Sequence, residues 1–180
     1  METLFQDKYR IKSNRRPFWD YSRFGWYFIT ICTQNKEHYF GEIVDGEMIL
    51  NNIGNMVNDE WKISENIRKE ITLDCFVVMP NHLHGIVIIN NVETNGRSSL
   101  PTVKFRMKPK SVSSLLSGFK SSTTSKFNTI QKTIKQPLWQ SNYYDHIVRD
   151  DDDLKRIRRY IKENPQNWYR DRNNPEGLLM

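Results

Sequence analysis

Two of the four histidines in this 180-residue chain stand two positions apart inside the apolar segment "VVMPNHLHGIVII". Residues two apart on a β-strand point to the same face, so a strand here would present His82 and His84 side by side, about 7 Å apart along the backbone. Two imidazoles are too few for a structural zinc site, and the sequence has no cysteine cluster to complete one. The pattern therefore indicates either a catalytic divalent ion that needs a third oxygen or nitrogen donor, or two hydrogen-bonded histidines beside a turn.

A helix near the C-terminus offers a third donor. The stretch "DDDDLKRIRRYIKENP" predicts a helix capped by Asp150 and ended by Pro165. Along it Arg156, Tyr160 and Asn164 recur at intervals of four and so form one stripe. Asn164 precedes the proline, which favours a non-helical backbone and leaves its amide free to turn toward a site. The alternative is that Tyr160 is an ordinary boundary aromatic and Asn164 a C-terminal cap.

The remaining elements predict the sheet that must position these residues. Strand patterns cover 25–33, 71–79, 82–89 and 143–148, and helical periods cover about 52–67 and 111–127. Asp45-Gly46, between apolar pairs, predicts a small hairpin. Without that hairpin the order is β-α-β-β-α-β plus the terminal helix. This order predicts an α+β, ferredoxin-like antiparallel sheet with helices on one face, and leaves the opposite face for a site beside the tyrosine helix.

Composition predicts one domain, residues 1–180, with a basic N-terminal arm at 1–20 and a flexible basic connection at 90–110. Cys32 and Cys75 lie in strand patterns without metal or redox spacing, which indicates reduced core residues of a cytoplasmic protein. No apolar run approaches the length of a membrane span, so no membrane partner is expected.

The net charge is +6, and residues 94–144 contain basic but no acidic residues. Such a tract is either a phosphate-facing surface or a solvated face.

Two longer motifs resemble one protein family. "MPNHLHGIV" and "LWQSNYYDHIVRDDDDLKRIRRYIKENPQNW" resemble the paired signatures of the single-tyrosine HUH transposases, especially the REP-associated tyrosine transposases of bacteria. "YFITICTQN" and "FGEIVDGEMILN" are similar to the opening of that family, so the resemblance covers roughly residues 21–168. It implies His82 and His84 as ligands of Mg²⁺ or Mn²⁺, Tyr160 as the nucleophile and Asn164 as the third ligand.

The resemblance also implies a reaction. The expected activity is that of a metal-dependent single-strand DNA endonuclease and strand transferase, acting on hairpins of repeated extragenic palindromes through a covalent 5′-phosphotyrosine. The partner would be single-stranded or hairpin DNA, the protein a monomer or homodimer, and its place the nucleoid. The alternatives are an HUH nickase of the replication or relaxase type, a non-catalytic hairpin-binding module, and a basic RNA-binding domain. Glu163, where replication initiators often carry lysine, and the lack of a third histidine after His84 favour the transposase branch.

Further residues are assigned on position alone. Contacts to the DNA backbone are predicted for Arg156, Arg159, Lys120, Lys126, Lys108 and Lys110. His146, on the strand before the tyrosine helix, is predicted to be either a structural residue or one that contacts the metal ligands without binding the metal itself. Tyr143 and Tyr144 are rival nucleophiles, but their place on a strand favours packing roles.

Overall fold

Six strands and three α-helices follow the predicted order in residues 19–90 and 110–175, the part of the chain that the computed structural model describes. The strands are β1 (Gly25–Cys32), β2 (Gly41–Val44), β3 (Glu47–Leu50), β4 (Ile71–Met79), β5 (His82–Ile89) and β6 (Tyr144–Ile147). The helices are α1 (Asn52–Ile67), α2 (Val112–Gln131) and α3 (Asp151–Glu163), with short 3₁₀ turns at Gln34–Lys36 and Trp168–Arg170.

The main sheet has the strand order β4-β5-β1-β6, with every neighbouring pair antiparallel. This is the ferredoxin-like arrangement, so the predicted fold class is confirmed. The central strands β1 and β5 pair without a break from Gly25 opposite Ile89 to Cys32 opposite His82. The predicted hairpin forms a separate two-stranded sheet of β2 and β3. Its turn residues Asp45 and Gly46 both have positive φ, 51° and 79°, as a type I′ turn requires.

The helices α1 and α2 pack on one face of the sheet. Trp61 of α1 and Phe119 of α2 meet edge to face, with ring centroids 5.0 Å apart, in the same apolar cluster as Leu83 of β5. Gly85 on the same strand lets the indole approach closely, because a Cβ there would lie 3.1 Å from the Trp61 ring and 3.3 Å from Phe76 Cβ. The odd-numbered residues of β5 therefore serve the main core.

Helix α3 covers part of the opposite face. Its buried side chains Leu154, Ile157 and Ile161 form a second apolar cluster with Phe28 of β1 and Ile86 of β5. Each buried side chain of this size contributes about 1.5–3 kcal/mol, which is enough to hold a charged helix against the sheet. The even-numbered residues of β5 thus face the tyrosine helix, as the period of two requires.

Both ends of α3 show how its position is fixed. At the N-terminus the Asp150 side chain accepts a hydrogen bond from the Asp153 N–H at 2.8 Å, as predicted for a cap. At the other end the prediction was wrong: Asn164 keeps helical angles, φ −57° and ψ −43°, although Pro165 follows. The chain continues in a hydrogen-bonded turn past the proline, with the Asn167 N–H donating to the Asn164 carbonyl at 3.1 Å, and this turn requires the helical angles that the proline locally disfavours. The buried Asn164 amide donates to Asp171 at 2.9 Å.

Several predictions fall on other parts of the chain. The N-terminal arm at 1–20 and the connection at 90–110 lie almost entirely outside the described residues, as does Lys108, so these remain predictions. Among the helices that the structure describes, none has the length and apolar character of a membrane span.

A candidate metal site beside a tyrosine

His82 and His84 lie at the start of the central strand β5, on the face that α3 covers. Both side chains are fully buried, and their Nε2 atoms are 3.0 Å apart. Their rings meet at a centroid distance of 4.4 Å and an angle of 69°. The two Nε2 atoms therefore point to one place, as the spacing on a strand predicts.

Asn81 determines which nitrogen of His82 carries the proton. Its Nδ2 donates to the backbone carbonyls of Lys36 at 3.0 Å and of Asn173 at 2.8 Å. Its Oδ1 therefore faces His82 Nδ1, at 2.9 Å. Because an amide oxygen only accepts, Nδ1 must donate, and Nε2 of the neutral ring keeps the lone pair that binds a metal.

The proton of His84 can sit on either ring nitrogen. With His82 Nε2 as acceptor, His84 Nε2 donates across the 3.0 Å contact. His84 Nδ1 lies 2.8 Å from the hydroxyl of the buried Thr30. A hydroxyl both donates and accepts, so Thr30 satisfies Nδ1 in either tautomer. Moving the proton to Nδ1 leaves both Nε2 atoms free to bind one ion.

The two rings are held in the neutral form that ligates metals. Burial, and then the neighbouring His84, lower the pKa of His82 well below 6.5. Burial also lowers the pKa of His84, against the opposing charge of Asp171. Neither imidazole therefore carries a positive charge near neutral pH.

Asp171 is the site residue that the sequence analysis missed. Its Oδ2 lies 3.9 Å from His84 Nε2 and 3.4 Å from the Tyr160 hydroxyl, and it accepts a hydrogen bond from Asn164 Nδ2 at 2.9 Å. The Asn173 N–H donates to Oδ1 at 2.6 Å. Burial alone would raise the pKa of this carboxyl, but the donors around it hold the pKa below its ordinary value, so Asp171 is ionised.

A short segment after α3, residues 168–173, brings Asp171 to the histidines. The Trp168 ring stacks on His82 at a centroid distance of 5.9 Å and an interplanar angle of 29°. Lys36 Nζ donates to the carbonyl of Arg172 at 2.9 Å, and Asn81 donates to that of Asn173. The segment has no periodic pattern, so the sequence contained no signal that would have placed Asp171 here.

This donor set fits a divalent cation. The ligand atoms of His82, His84 and Asp171 lie within 4.8 Å of one another, and all three residues are buried. Asn164 adds a buried Oδ1 that has no hydrogen-bond partner within the described residues. Two imidazoles, one carboxylate and one amide oxygen suit Mn²⁺ and Mg²⁺, and the nitrogen donors favour Mn²⁺ of the two.

Tyr160 stands beside this group. Its hydroxyl lies 3.1 Å from His84 Nε2, while the residue as a whole is 41% exposed. Burial, and then the charge of Asp171, raise the pKa of Tyr160 to about 12. The structure thus places a protonated hydroxyl, on a partly exposed residue, beside a buried group that could hold a metal.

The stripe predicted along α3 lines a cavity of about 650 Å³. Arg156, Tyr160 and Asn164 all contribute to its wall, and so does Tyr144. The other rival nucleophile, Tyr143, packs against the main core and shares a hydrogen bond with Ser113.

The predicted DNA contacts are spread over two faces of the molecule. On α3, Arg156 pairs with Asp153, and Arg159 is exposed. On α2, across the sheet from Tyr160, Lys120 donates to the Gln140 and Asn142 carbonyls at 2.7 and 2.9 Å. Of the other predicted contacts in the described part of the chain, Lys126 pairs with Glu60 at 2.5 Å, and Lys110 is exposed before α2.

His146 also lies beside α3. Its Nε2 is 2.7 Å from Asp153 Oδ2, and it lines the same cavity as Tyr160. It thus contacts the first turn of the tyrosine helix at Asp153, whose carboxylate also pairs with Arg156.

Fold and site together define an α+β protein with a ferredoxin-like sheet and a buried His-His-Asp group beside a tyrosine. The same fold is found in a REP-associated tyrosine transposase bound to a REP hairpin, at a TM-score of 0.58. That similarity covers 87% of this chain and 74% of the transposase chain, at 18% sequence identity, and it shows a transposase-like fold.

The chain belongs to the same family as an uncharacterized protein of Haemophilus influenzae (strain ATCC 51907 / DSM 11121 / KW20 / Rd). The two are 37% identical over 167 residues, which cover 89% of this chain and 91% of its relative. No model of a known protein family matches the chain.

Proposed function

We propose that this protein is a single-tyrosine HUH transposase, a metal-dependent endonuclease and strand transferase for single-stranded hairpin DNA. The observation that carries the proposal is the Tyr160 hydroxyl, 3.1 Å from His84 Nε2 and 3.4 Å from Asp171 Oδ2. A nucleophile in contact with a divalent-cation site is the arrangement that phosphodiester cleavage needs. The fold shared with a hairpin-bound transposase supports DNA as the substrate.

The metal would be held by His82, His84 and Asp171, with the Asn164 amide oxygen as a further ligand. When bound, Mg²⁺ or Mn²⁺ neutralises charge on a non-bridging phosphate oxygen and so lowers the barrier to nucleophilic attack. The residues around it keep both imidazoles neutral and correctly oriented, through Asn81 on one ring.

Tyr160 performs the covalent step. Its oxygen forms a bond to phosphorus while the bond from phosphorus to the 3′ oxygen breaks, and the leaving oxygen takes a proton to become a 3′-hydroxyl. Because the pKa of Tyr160 is about 12, its proton must leave as the new bond forms. The proton that Tyr160 releases balances the one that the leaving 3′ oxygen takes up. The phosphotyrosine retains the bond energy, so attack by another 3′-hydroxyl rejoins strands without ATP.

Burial of the helix on the sheet makes this attack effectively intramolecular. Ile157 and Ile161 hold α3 against β1 and β5, and they keep the hydroxyl close to the histidines before substrate arrives. Fixing two reacting groups in this way can remove about 7–11 kcal/mol from a barrier.

The phosphate backbone would be bound by Arg156 and Arg159 around the tyrosine. Lys108 and Lys110 are further proposed contacts, and Lys120 and Lys126 would contact only DNA that reaches the opposite face of the sheet. His146 supports the tyrosine helix. Such a protein would act on the nucleoid, in the cytoplasm, as a monomer or a homodimer. The alternatives are an HUH nickase of the replication or relaxase type and a hairpin-binding module without catalysis.

The decisive experiment is covalent capture. A labelled hairpin oligonucleotide with a single-stranded flank, incubated with Mn²⁺, should give a protein–DNA adduct that survives denaturing electrophoresis. Tyr160→Phe removes one oxygen and should form none. Tyr169→Phe is the matched control, since Tyr169 is also exposed and follows the same helix, and it should form as much adduct as the parent. Equal adduct from Tyr160→Phe would contradict the assignment.

The metal requirement is tested separately. His82→Ala should abolish adduct formation and leave hairpin affinity within about twofold of the parent, because the imidazole is fully buried and presents no surface of its own to DNA. Adduct formation by the parent in excess chelator, equal to that with Mn²⁺, would contradict the metal role. Binding without any adduct in either protein would instead favour the non-catalytic module.

A further inference from the structure

The cavity beside Tyr160 is lined in part by two aromatic side chains, Phe28 and Tyr144, that have no role in the proposed phosphoryl transfer. Tyr144 of β6 is 36% exposed and lines this cavity. The buried Phe28 ring meets Tyr144 and Tyr160 edge-on, at centroid distances of 6.3 and 6.0 Å. Phe28 thus stands between the two tyrosines, so a ligand resting on Tyr144 would share a cavity with the nucleophile.

A guanidinium group extends this wall. Arg172 lies over the Tyr144 ring, 5.1 Å from its centroid. Its backbone follows Asp171 directly and is held by Lys36 Nζ on the Arg172 carbonyl. The stacked pair is therefore tied to the same segment that completes the metal-binding group.

The rest of the lining is mostly polar and carries both arginines and carboxylates, the latter from Glu163 and Asp171. Arg156 and Arg170 add positive charge, and Glu163 and Asn167 add hydrogen-bond acceptors and donors. The cavity volume of about 650 Å³ lies within the range of about 300–1,000 Å³ that small-ligand sites occupy. Flat aromatic and guanidinium surfaces stack on nucleobases, while arginines bind phosphate.

We propose that this cavity is a subsite for one unpaired nucleotide of the substrate strand. Its base stacks on the pair formed by Tyr144 and Arg172, and its phosphates face Arg156 and Arg170. The inference rests on the proposed DNA function and adds to it a base-holding role for Tyr144. Stacking there would hold the strand so that the neighbouring phosphate lies beside the Tyr160 hydroxyl.

The test measures binding with chelator present, so that no cleavage occurs. A set of hairpin oligonucleotides is made in which each unpaired nucleotide of the flank is replaced in turn by an abasic residue. The parent should bind one of them about tenfold more weakly than the intact strand, the loss typical of one base–aromatic stack. Tyr144→Phe should keep this difference, and Tyr144→Ala should bind the intact and abasic strands equally.

Tyr169→Ala provides the matched control. Tyr169 is exposed and has the Arg170 guanidinium 5.0 Å from its ring centroid, but it is not among the residues that line the cavity. This variant should discriminate as the parent does. Urea unfolding of Tyr144→Ala shows that it remains folded under the binding conditions.

The outcomes separate the two proposals. If the parent binds every abasic strand as tightly as the intact one, or fails to bind the hairpins, the nucleotide subsite is wrong. It is also wrong if Tyr144→Ala still discriminates. If base discrimination is present but Mn²⁺ produces no Tyr160 adduct, the strand-transfer proposal fails and the subsite stands.

Discussion

The Asn81 side chain is hydrogen-bonded to His82 and to the carbonyls of Lys36 and Asn173. Its replacement should therefore lower both the stability of the protein and its affinity for a metal. In Asn81→Ala the acceptor of His82 Nδ1 is lost, and so are the donors to the carbonyls of Lys36 and Asn173. All three partners keep their polar atoms but lose this hydrogen bond. The side chain of Asn81 is fully buried, so water cannot take its place without rearrangement.

The expected loss is large for a single residue. A buried polar group left without a partner costs about 1–3 kcal/mol, and the Lys36 carbonyl, which is the most accessible of the three, regains part of that from water. The free energy of unfolding should therefore fall by about 3–5 kcal/mol, out of about 5–15 for a domain of this kind. The affinity for Mn²⁺ should fall by about 10–100-fold, as for other partners of ligating histidines.

Two measurements check this. Urea denaturation gives the change in unfolding free energy, and calorimetric titration of the folded protein gives the Mn²⁺ affinity. Asn81→Asp keeps an acceptor for His82 but not the two donors, so it should lose stability and retain more of the metal affinity. Asn58→Ala is the control: within residues 19–90 and 110–175, the Asn58 amide on α1 donates only to the neighbouring Asp59, and its loss should change stability by less than about 0.5 kcal/mol.

The reasoning is refuted by a small effect on stability. If Asn81→Ala unfolds within about 1 kcal/mol of the parent, the three hydrogen bonds do not hold the segment that carries Asp171. If stability falls but Mn²⁺ binds as tightly as before, Asn81 does not orient His82 for the metal.

Three more changes test other parts of the structure. Gly85→Ala should destabilise the fold by about 1–3 kcal/mol in urea denaturation, because its Cβ would crowd Trp61; an unchanged midpoint would contradict the close packing. Asp171→Asn should weaken Mn²⁺ binding at least about tenfold by calorimetry, and equal affinity would remove Asp171 from the ligand set. Burial alone would raise the pKa of Asp153, but hydrogen bonds from His146 and from an arginine one turn later hold it at about 2. This carboxylate therefore stabilises the protein above about pH 4, and the stability is lost as pH falls toward 2. The difference in unfolding free energy between the parent and Asp153→Asn should shrink as the pH falls from about 4 toward 2. A difference independent of pH would show that the ionised Asp153 carboxylate does not stabilise the protein.

Local patterns in the sequence were enough to predict most of the sheet and the faces of its central strand. The alternation in β5 placed the histidines on one face and Leu83 on the other, because the side-chain period of a strand is two whatever surrounds it. The interval of four along α3 likewise brought Arg156, Tyr160 and Asn164 to one cavity. Asn164 shows the limit of such rules, since it keeps helical angles before a proline in a turn closed by the Asn167 N–H on its carbonyl.

What the sequence could not determine are the distances between segments that share no pattern. Asp171 lies in an irregular stretch, and only the contacts of residues 168–173 with His82, Lys36 and Asn81 bring its carboxylate to the site. The basic tract likewise gave no reason to separate its lysines from the site. In the structure Lys120 donates to the Gln140 carbonyl and Lys126 pairs with Glu60, on the face of the sheet opposite Tyr160. Periodicity specifies the side of an element to which a residue points. The residues that it contacts on that side depend on the tertiary packing, which all the helices, strands and loops determine together.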